Sequence, residues 1–335
     1  MWITSSLQTV KTPTYVALGN FDGVHRGHCQ VIQPILALSA SAHASGHASG
    51  ASNADAVAYP TVVTFTPHPQ EFFTGQHRPL LTPLDEKAYY LRLLGVQQLM
   101  LLPFNQELAA LSPQEFVEEI LVRHLQAQWI SVGQDFCFGR QRSGTAADLQ
   151  AIAAQYKIPV TSAPLHTCEG ERISSSAIRA ALEQGNLQRA NQLLGRPYTL
   201  IGQVTQGQQL GRTIGFPTAN LSVPPEKFLP RQGVYSVWVK PFAANGDVPL
   251  QAGVMNIGYR PTVDGTRQTV EVHLLDWSGD LYDQTLMVSL ESFLRPEQKF
   301  ASLDELKAQI QADCELVRSQ LTAFQGSQSN LSNLH

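Results

Sequence analysis

A chain of 335 residues, 43% hydrophobic and 15% charged, is long enough for two domains that each bury a core. Its formal net charge of −4 gives no support for a nucleic-acid surface. No apolar run approaches the ~20 residues of a membrane span, and the first residues lack the pattern of a signal peptide. The four cysteines, Cys29, Cys137, Cys168 and Cys314, lie far apart with no C-x-x-C pair. They indicate neither a disulfide framework nor a zinc site, and a cytoplasmic protein is expected.

In chain order, Tyr15-Val16-Ala17-Leu18 reads as a buried strand and Cys29 to Leu38 as a helix. Between them lies Gly19 to His28, GNFDGVHRGH, a strand-to-helix turn of the kind that binds ligands in open α/β sheets. Gly19, Gly23 and Gly27 are expected to give close backbone approach and positive φ. His25 and His28, three apart at a helix start, can both face one phosphate. The same pair taken alone also suits a metal ion, or two surface positions. Ala40 to Ala58, built from Ala, Ser and Gly with His43 and His47, reads as a flexible loop.

Thr61 to Phe65 is the next strand, running into Thr66-Pro67-His68-Pro69, which predicts a rigid extended loop. Pro83 to Leu94 is helical and Gln98 to Leu102 a strand. Ser112-Pro113-Gln114-Glu115 has capping-box spacing and opens a helix to Leu125, and Trp129 to Val132 is again a strand. The alternation predicts a mostly parallel, doubly wound sheet. Neither G-x-G-x-x-G nor G-x-x-x-x-G-K-[ST] occurs, so any nucleotide site rests on the histidine turn. Gly133 to Gly144, GQDFCFGRQRSG, sets two phenylalanines and two arginines at a strand's end, a composition suited to a planar ring beside a phosphate or to a packed basic loop. In Ile173-Ser174-Ser175-Ser176-Ala177-Ile178-Arg179 the serines can cap a helix or donate to a phosphate.

Gly195-Arg196-Pro197 ends a helix and marks a domain joint. Beyond it the pattern turns to strands. Val234 to Val239 alternates, and Asn245-Gly246, Asp264-Gly265 and Ser278-Gly279-Asp280 are turn signals, giving the spacing of a meandering antiparallel barrel. Gly207 to Asn220, GQQLGRTIGFPTAN, is a glycine-rich loop whose Thr218 and Asn220 offer hard oxygens. In Thr269 to Leu275 period two puts Val270, Val272 and Leu274 on one face and Thr269, Glu271 and His273 on the other. A last helix is predicted from Ser302 and Glu305, with Leu303, Leu306, Ile310, Val317 and Leu321 on its apolar face.

These strings resemble a known family. His25-Arg26-Gly27-His28 is similar to the H-x-G-H signature of nucleotidyltransferases. With Asn20-Phe21-Asp22-Gly23 before it, the turn resembles that of bacterial bifunctional riboflavin kinase/FAD synthetases. The likeness extends to D-F-x-F-G-x-x-R-x-G at Asp135 and Arg142, to I-S-S-T-x-I-R with Ser176 for Thr, and to G-R-T-x-G-F-P-T-A-N. It also includes F-D-P-H-P around His68, where Thr66 replaces the aspartate. The resemblance covers nearly the whole chain except the 40–58 loop and the tail.

It implies a Rossmann-like nucleotidyltransferase domain over residues 1–194. A six-stranded antiparallel riboflavin kinase barrel with a terminal helix would follow over 195–324, then a disordered tail over 325–335. It implies ATP with Mg²⁺, and riboflavin, FMN and FAD as substrates and products. No nucleic-acid or membrane partner is implied, and the oligomeric state stays open. His25 and His28 would act on the nucleotide with Gly19, Phe21, Gly23, His68, Asp135, Arg142, Ser174, Ser175 and Arg179. Gly211, Arg212, Gly215, Thr218 and Asn220 would hold a second ATP, Thr218 and Asn220 also its metal, and Glu271 would be the kinase base.

Overall fold

The computed structural model describes residues 1–45, 58–206, 210–242, 248–262 and 265–331. Contacts divide it into two compact units, Met1–Ser175 and Ser176–His335.

The first unit is built on a parallel sheet. Its strands are β1 (Trp2–Thr4), β2 (Thr14–Leu18), β3 (Tyr59–Thr66), β4 (Gln98–Pro103), β5 (Ala127–Gly133) and β6 (Val160–Ala163), in the order β1-β4-β3-β2-β5-β6. Connections leave β2 toward β3 on one side, and the chain returns to β5 on the other. The carboxyl ends of β2 and β5 therefore flank the point where the winding reverses. Helices α1 (Arg26–Ser45), α2 (Leu84–Leu94), α3 (Phe116–His124) and α4 (Ala146–Gln155) connect the strands. Successive strand residues feed different cores: Ala17 and Val62 pack with Ile32 and Ile35 of α1 and Leu91 of α2. Val16, Leu18 and Val63 pack with Val117 and Leu121 of α3 and Leu149 of α4. Burial on both faces explains the nearly continuous apolar strands, and each buried Val or Leu side chain among them contributes about 1.5–3 kcal/mol.

The capping box at Ser112 forms as its spacing predicts, with Glu115 N–H on Ser112 Oγ and Ser112 N–H on the Glu115 carboxylate. The helix it opens is wound wider than an α-helix: Leu125 N–H reaches back five residues to Ile120 O at 2.9 Å. Two local expectations change. Helix α1 runs on to Ser45 through an alanine-rich stretch of high helix propensity, and Ala58 is buried. Of the segment read as a loop, residues 46–57, with His47, lie outside the described residues. After β3, His68 caps a short helix, Pro69–Thr74, rather than standing in an extended loop: its Nδ1 accepts from Gln70 N–H at 3.1 Å.

From Ser176 the second unit takes in all but the first residue of α5 (Ser175–Glu183), then α6 (Leu187–Leu194), and continues into a closed barrel. The barrel strands are β7 (Tyr198–Thr205), β8 (Ala219–Ser222), β9 (Gly233–Pro241), β10 (Gln251–Thr262), β11 (Gly265–Leu274) and β12 (Thr285–Arg295). Their order around the barrel is β7-β8-β11-β10-β9-β12, closing on β7, and every pairing is antiparallel. Only β9, β10 and β11 meander. The Ser278-Gly279-Asp280 signal lies in a connection that carries the chain from β11 to the far side of β9, and Asn245-Gly246 and Asp264 lie outside the described residues.

Helix α7 (Leu303–Leu331) packs on the barrel through Ile310, Cys314 and Val317 beside Trp238 and Val254. Leu303, expected on that face, is 65% exposed. The helix extends past Gln325, where a tail was expected, and residues 332–335 lie outside the described residues. The joint expected at Gly195 is the αL end of α6, whose N–H reaches Asn191 O at 2.8 Å, so α5 and α6 go with the barrel.

Candidate functional site

At the carboxyl end of β2 the chain enters the histidine turn. Its backbone takes positive φ at Phe21 (49°), Gly23 (91°) and Val24 (42°), so Gly23 alone of its glycines uses the left-handed freedom expected of all three. Gly19 and Gly27 instead permit close packing: a Cβ would stand 3.2 Å from the Phe21 ring and from His25 Cε1, respectively. Phe21 is 1% exposed and sets its edge against His28, 5.3 Å between centroids.

The His25 and His28 rings stack with centroids 3.5 Å apart and planes 14° from parallel. The His28 N–H donates to His25 Nδ1 at 3.3 Å, and the His25 N–H to His28 Nδ1 at 3.4 Å. An accepting Nδ1 has no proton, so each neutral ring keeps its hydrogen on Nε2. Burial first, then His25, then the Lys87 ammonium hold the His28 imidazole well below its ordinary value of 6.5. At neutral pH His28 is therefore a neutral Nε2–H donor.

Three segments support this turn. Thr82 N–H donates to Asp22 Oδ1 at 3.1 Å, and Gly23 N–H to Thr82 Oγ1 at 2.9 Å. Lys87 Nζ and Thr64 Oγ1 donate to Asn20 O at 2.9 and 3.0 Å. Ser175 Oγ donates to Asp22 O at 2.8 Å, which brings the serine string to the turn; Ser174 beside it is half-buried. Because β2 to β5 are parallel, the loops after β3, β4 and β5 open on the same edge as the turn. After β5, Asp135 pairs with Arg172 from the Thr167–Arg172 hairpin, and Arg142 is exposed at φ 59°. After β3 and β4, Phe72, Phe73 and Phe104 form a cluster with centroids 5.3–5.8 Å apart, and Phe73 is 69% exposed. Neither this aromatic cluster nor the support from Thr82 and Lys87 was read from the sequence. The Phe72-Phe73 doublet was its only local trace. Arg179 lies in the second unit, its guanidinium 5.8 Å from the Phe228 ring centroid.

In the barrel, Pro217 O meets His273 Nδ1 at 2.8 Å and Phe216 sets its ring edge against His273, which ties the glycine loop to β11. Asn220 of β8 and Asn256 of β10 both pair with Glu271 in register, so the three side chains share one face. The burial pattern follows the expected period: Val270 and Val272 are buried, Glu271 and His273 half-exposed. Asn256 Nδ2 also donates to Glu297 Oε1 at 3.2 Å, a second carboxylate that the sequence reading had not placed. Gly211 is closely packed: a Cβ would collide with Phe216 O and lie 3.3 Å from Thr218 Oγ1. Gly215 takes φ 90°. Residues 207–209 and the Arg212 side chain lie outside the described residues.

Among the described residues no group of three or more His, Cys, Asp or Glu side chains could hold a metal, and no helix is long and apolar enough to cross a membrane.

Comparison with known proteins agrees with this two-part plan. The FAD synthetase family model matches residues 7–177 and the riboflavin kinase model residues 194–321. The Escherichia coli K12 protein named bifunctional riboflavin kinase/FMN adenylyltransferase is 43% identical over 89% of this chain and 90% of its own. The Bacillus subtilis protein of that name is 36% identical, covering 89% of each. A solved structure from Streptococcus pneumoniae, titled a macrolide-efflux protein, superposes with a TM-score of 0.80 at 30% identity, covering 94% of this chain and 98% of that one. The sheet with its histidine turn and the closed barrel thus fall in the order that the two models require, and the chain belongs to the bifunctional riboflavin kinase/FMN adenylyltransferase family.

Proposed function

We propose that the two activities of this enzyme run at two sites, the histidine turn for FMN adenylylation and the Asn220–Glu271 face for riboflavin phosphorylation, each using ATP. The observation that carries the assignment is the register of Glu271. It sets a half-exposed carboxylate beside Asn220 and close to the tied-down Thr218 loop, where a hydroxyl nucleophile and a polyphosphate could be brought together.

In the kinase reaction Glu271 accepts the proton of the riboflavin 5′-hydroxyl as that oxygen attacks the γ-phosphorus, and ADP leaves. Thr218 and Asn220 supply the hard oxygens that Mg²⁺ favours, and Gly211 lets the loop close around Thr218, so the residues fit the ion. Mg²⁺ would neutralise charge on the phosphates. In the adenylylation the FMN phosphate attacks the α-phosphorus of ATP and pyrophosphate leaves. The Nε2–H groups of His25 and His28 donate to charge gathering on the phosphate oxygens, and the Ser174–Ser175 string supplies further donors at the start of α5. Gly19, Phe21 and Gly23 shape the turn, Gly211, Arg212 and Gly215 shape the kinase loop, and His68, Asp135, Arg142 and Arg179 are assigned to nucleotide or flavin binding. No covalent enzyme intermediate is needed, because positioning and electrostatics suffice for such transfers. None of the four cysteines is in a disulfide, which suits a cytoplasmic enzyme.

The test is chromatography of the flavins formed from riboflavin, ATP and Mg²⁺. His28→Ala should cut FAD formation by about 10²–10³ while FMN accumulates. Glu271→Gln should cut FMN formation by about 10²–10⁴ while added FMN still becomes FAD. A Glu271→Gln protein of unchanged melting temperature and undiminished kinase rate would remove Glu271 from the mechanism.

A further inference from the structure

Lys87 is a buried lysine in the first unit, 9% exposed, for which neither transfer reaction has a use so far. It stands in the first turn of α2, its N–H on Pro83 O at 2.9 Å, behind the histidine turn. Its ammonium donates to Asn20 O at 2.9 Å, the carbonyl that Thr64 Oγ1 also reaches, so the neck of the turn is held from helix α2 and strand β3 at once. Five residues earlier Thr82 binds Asp22 and Gly23 through its N–H and hydroxyl. A lysine is seldom buried unless it is paired. Burial lowers its proton affinity here, and the Asp22 carboxylate works against that loss. An apolar residue in the same space would avoid the desolvation cost altogether, so a structural need for bulk does not account for the charge.

We infer that Lys87 is a positioning residue for FMN adenylylation: from behind, its ammonium fixes the Asn20 carbonyl, and with it the turn that aims His25 and His28 at the nucleotide phosphates. This rests on the assignment of that turn to the adenylylation. Lys87 acts through the turn and not on the substrate, so its removal should lower kcat more than it changes the KM for ATP. Its charge also faces His28. The charged or titratable neighbours that act on His28 are His25 from the same turn and Lys87 from α2, and Phe21 adds an uncharged ring edge.

The experiment uses the whole chain supplied with FMN and Mg·ATP. The wild-type protein and His28→Ala test the site assignment first: a wild type that makes FAD, and a His28→Ala protein that does not, establish it without reference to Lys87. Lys87→Met, close in length but uncharged, should then lower kcat for FAD at least tenfold with the ATP KM within threefold. Riboflavin phosphorylation in the same preparation reports the amount of folded chain. By NMR the His28 imidazole should titrate closer to 6.5 than in the wild type, because one of the causes that lower it is gone. A kcat within twofold of wild type, or an unmoved His28 titration, overturns the inference. Should Lys87→Met fail to fold, Lys87→Arg decides: FAD formation within tenfold of wild type supports a role for the charge, and a loss as deep as that of His28→Ala overturns it.

Discussion

His28 shows how one residue's surroundings set both its chemistry and its cost. Stacked on His25, edged by Phe21 and faced by Lys87, it stays neutral where a free imidazole would be partly protonated. The unfolded chain takes up a proton at His28 as the pH drops through about 6.5, whereas the folded chain resists until a lower pH. Over that interval the unfolded state binds more protons, so stability falls with falling pH. Thermal melts from pH 8 to pH 5 should show the transition of the first unit dropping more steeply in the wild type than in His28→Gln. Equal slopes would mean that His28 is not held neutral. The sequence made this pair legible through the spacing of two histidines and the strand before them. It could not make Lys87 legible, because a lysine in a polar first turn has the same local pattern whether it faces water or the underside of a loop.

At the level of the element, the helix ends and strand faces were readable because they depend on near neighbours: the box at Ser112, the αL glycine at 195, the period-two face of β11. The order of the barrel strands was not. Turn signals join strands that follow one another, while β8 beside β11 and β12 beside β7 are set by packing far along the chain. The docking of α7 was also half-hidden. Asp313 is 5% exposed and receives Arg295 from β12 through Nε at 3.0 Å and Nη2 at 2.8 Å, an ion pair that an apolar stripe does not foretell. Arg295→Met should leave a buried carboxylate uncompensated and cost about 3–5 kcal/mol. Chemical denaturation of the barrel unit would measure it, and a loss below about 1 kcal/mol, the range of exposed pairs, would show that the pair is solvated.

At the level of the molecule, the division after Ser175 bears on how the activities separate. Helix α6 buries Leu187, Ala190, Leu193 and Leu194, and its Asn191 accepts from Tyr198 N–H at 2.8 Å and donates to Leu290 O at 3.0 Å. A fragment of residues 176–335 should therefore fold and turn riboflavin into FMN without making FAD, while 199–335 should melt at a lower temperature, having lost that cover. Equal melting temperatures would assign α5 and α6 to the first unit. The closure of the barrel has a further consequence, in time rather than in space. Its first strand, β7, finds one of its two partners in β12, the last, and β12 also closes on β9. During synthesis the first unit can settle as soon as β6 and the serine string have emerged. The second must wait as an open sheet with unpaired rims until Arg295 is free of the ribosome, and over that interval those rims are open to pairing with other chains.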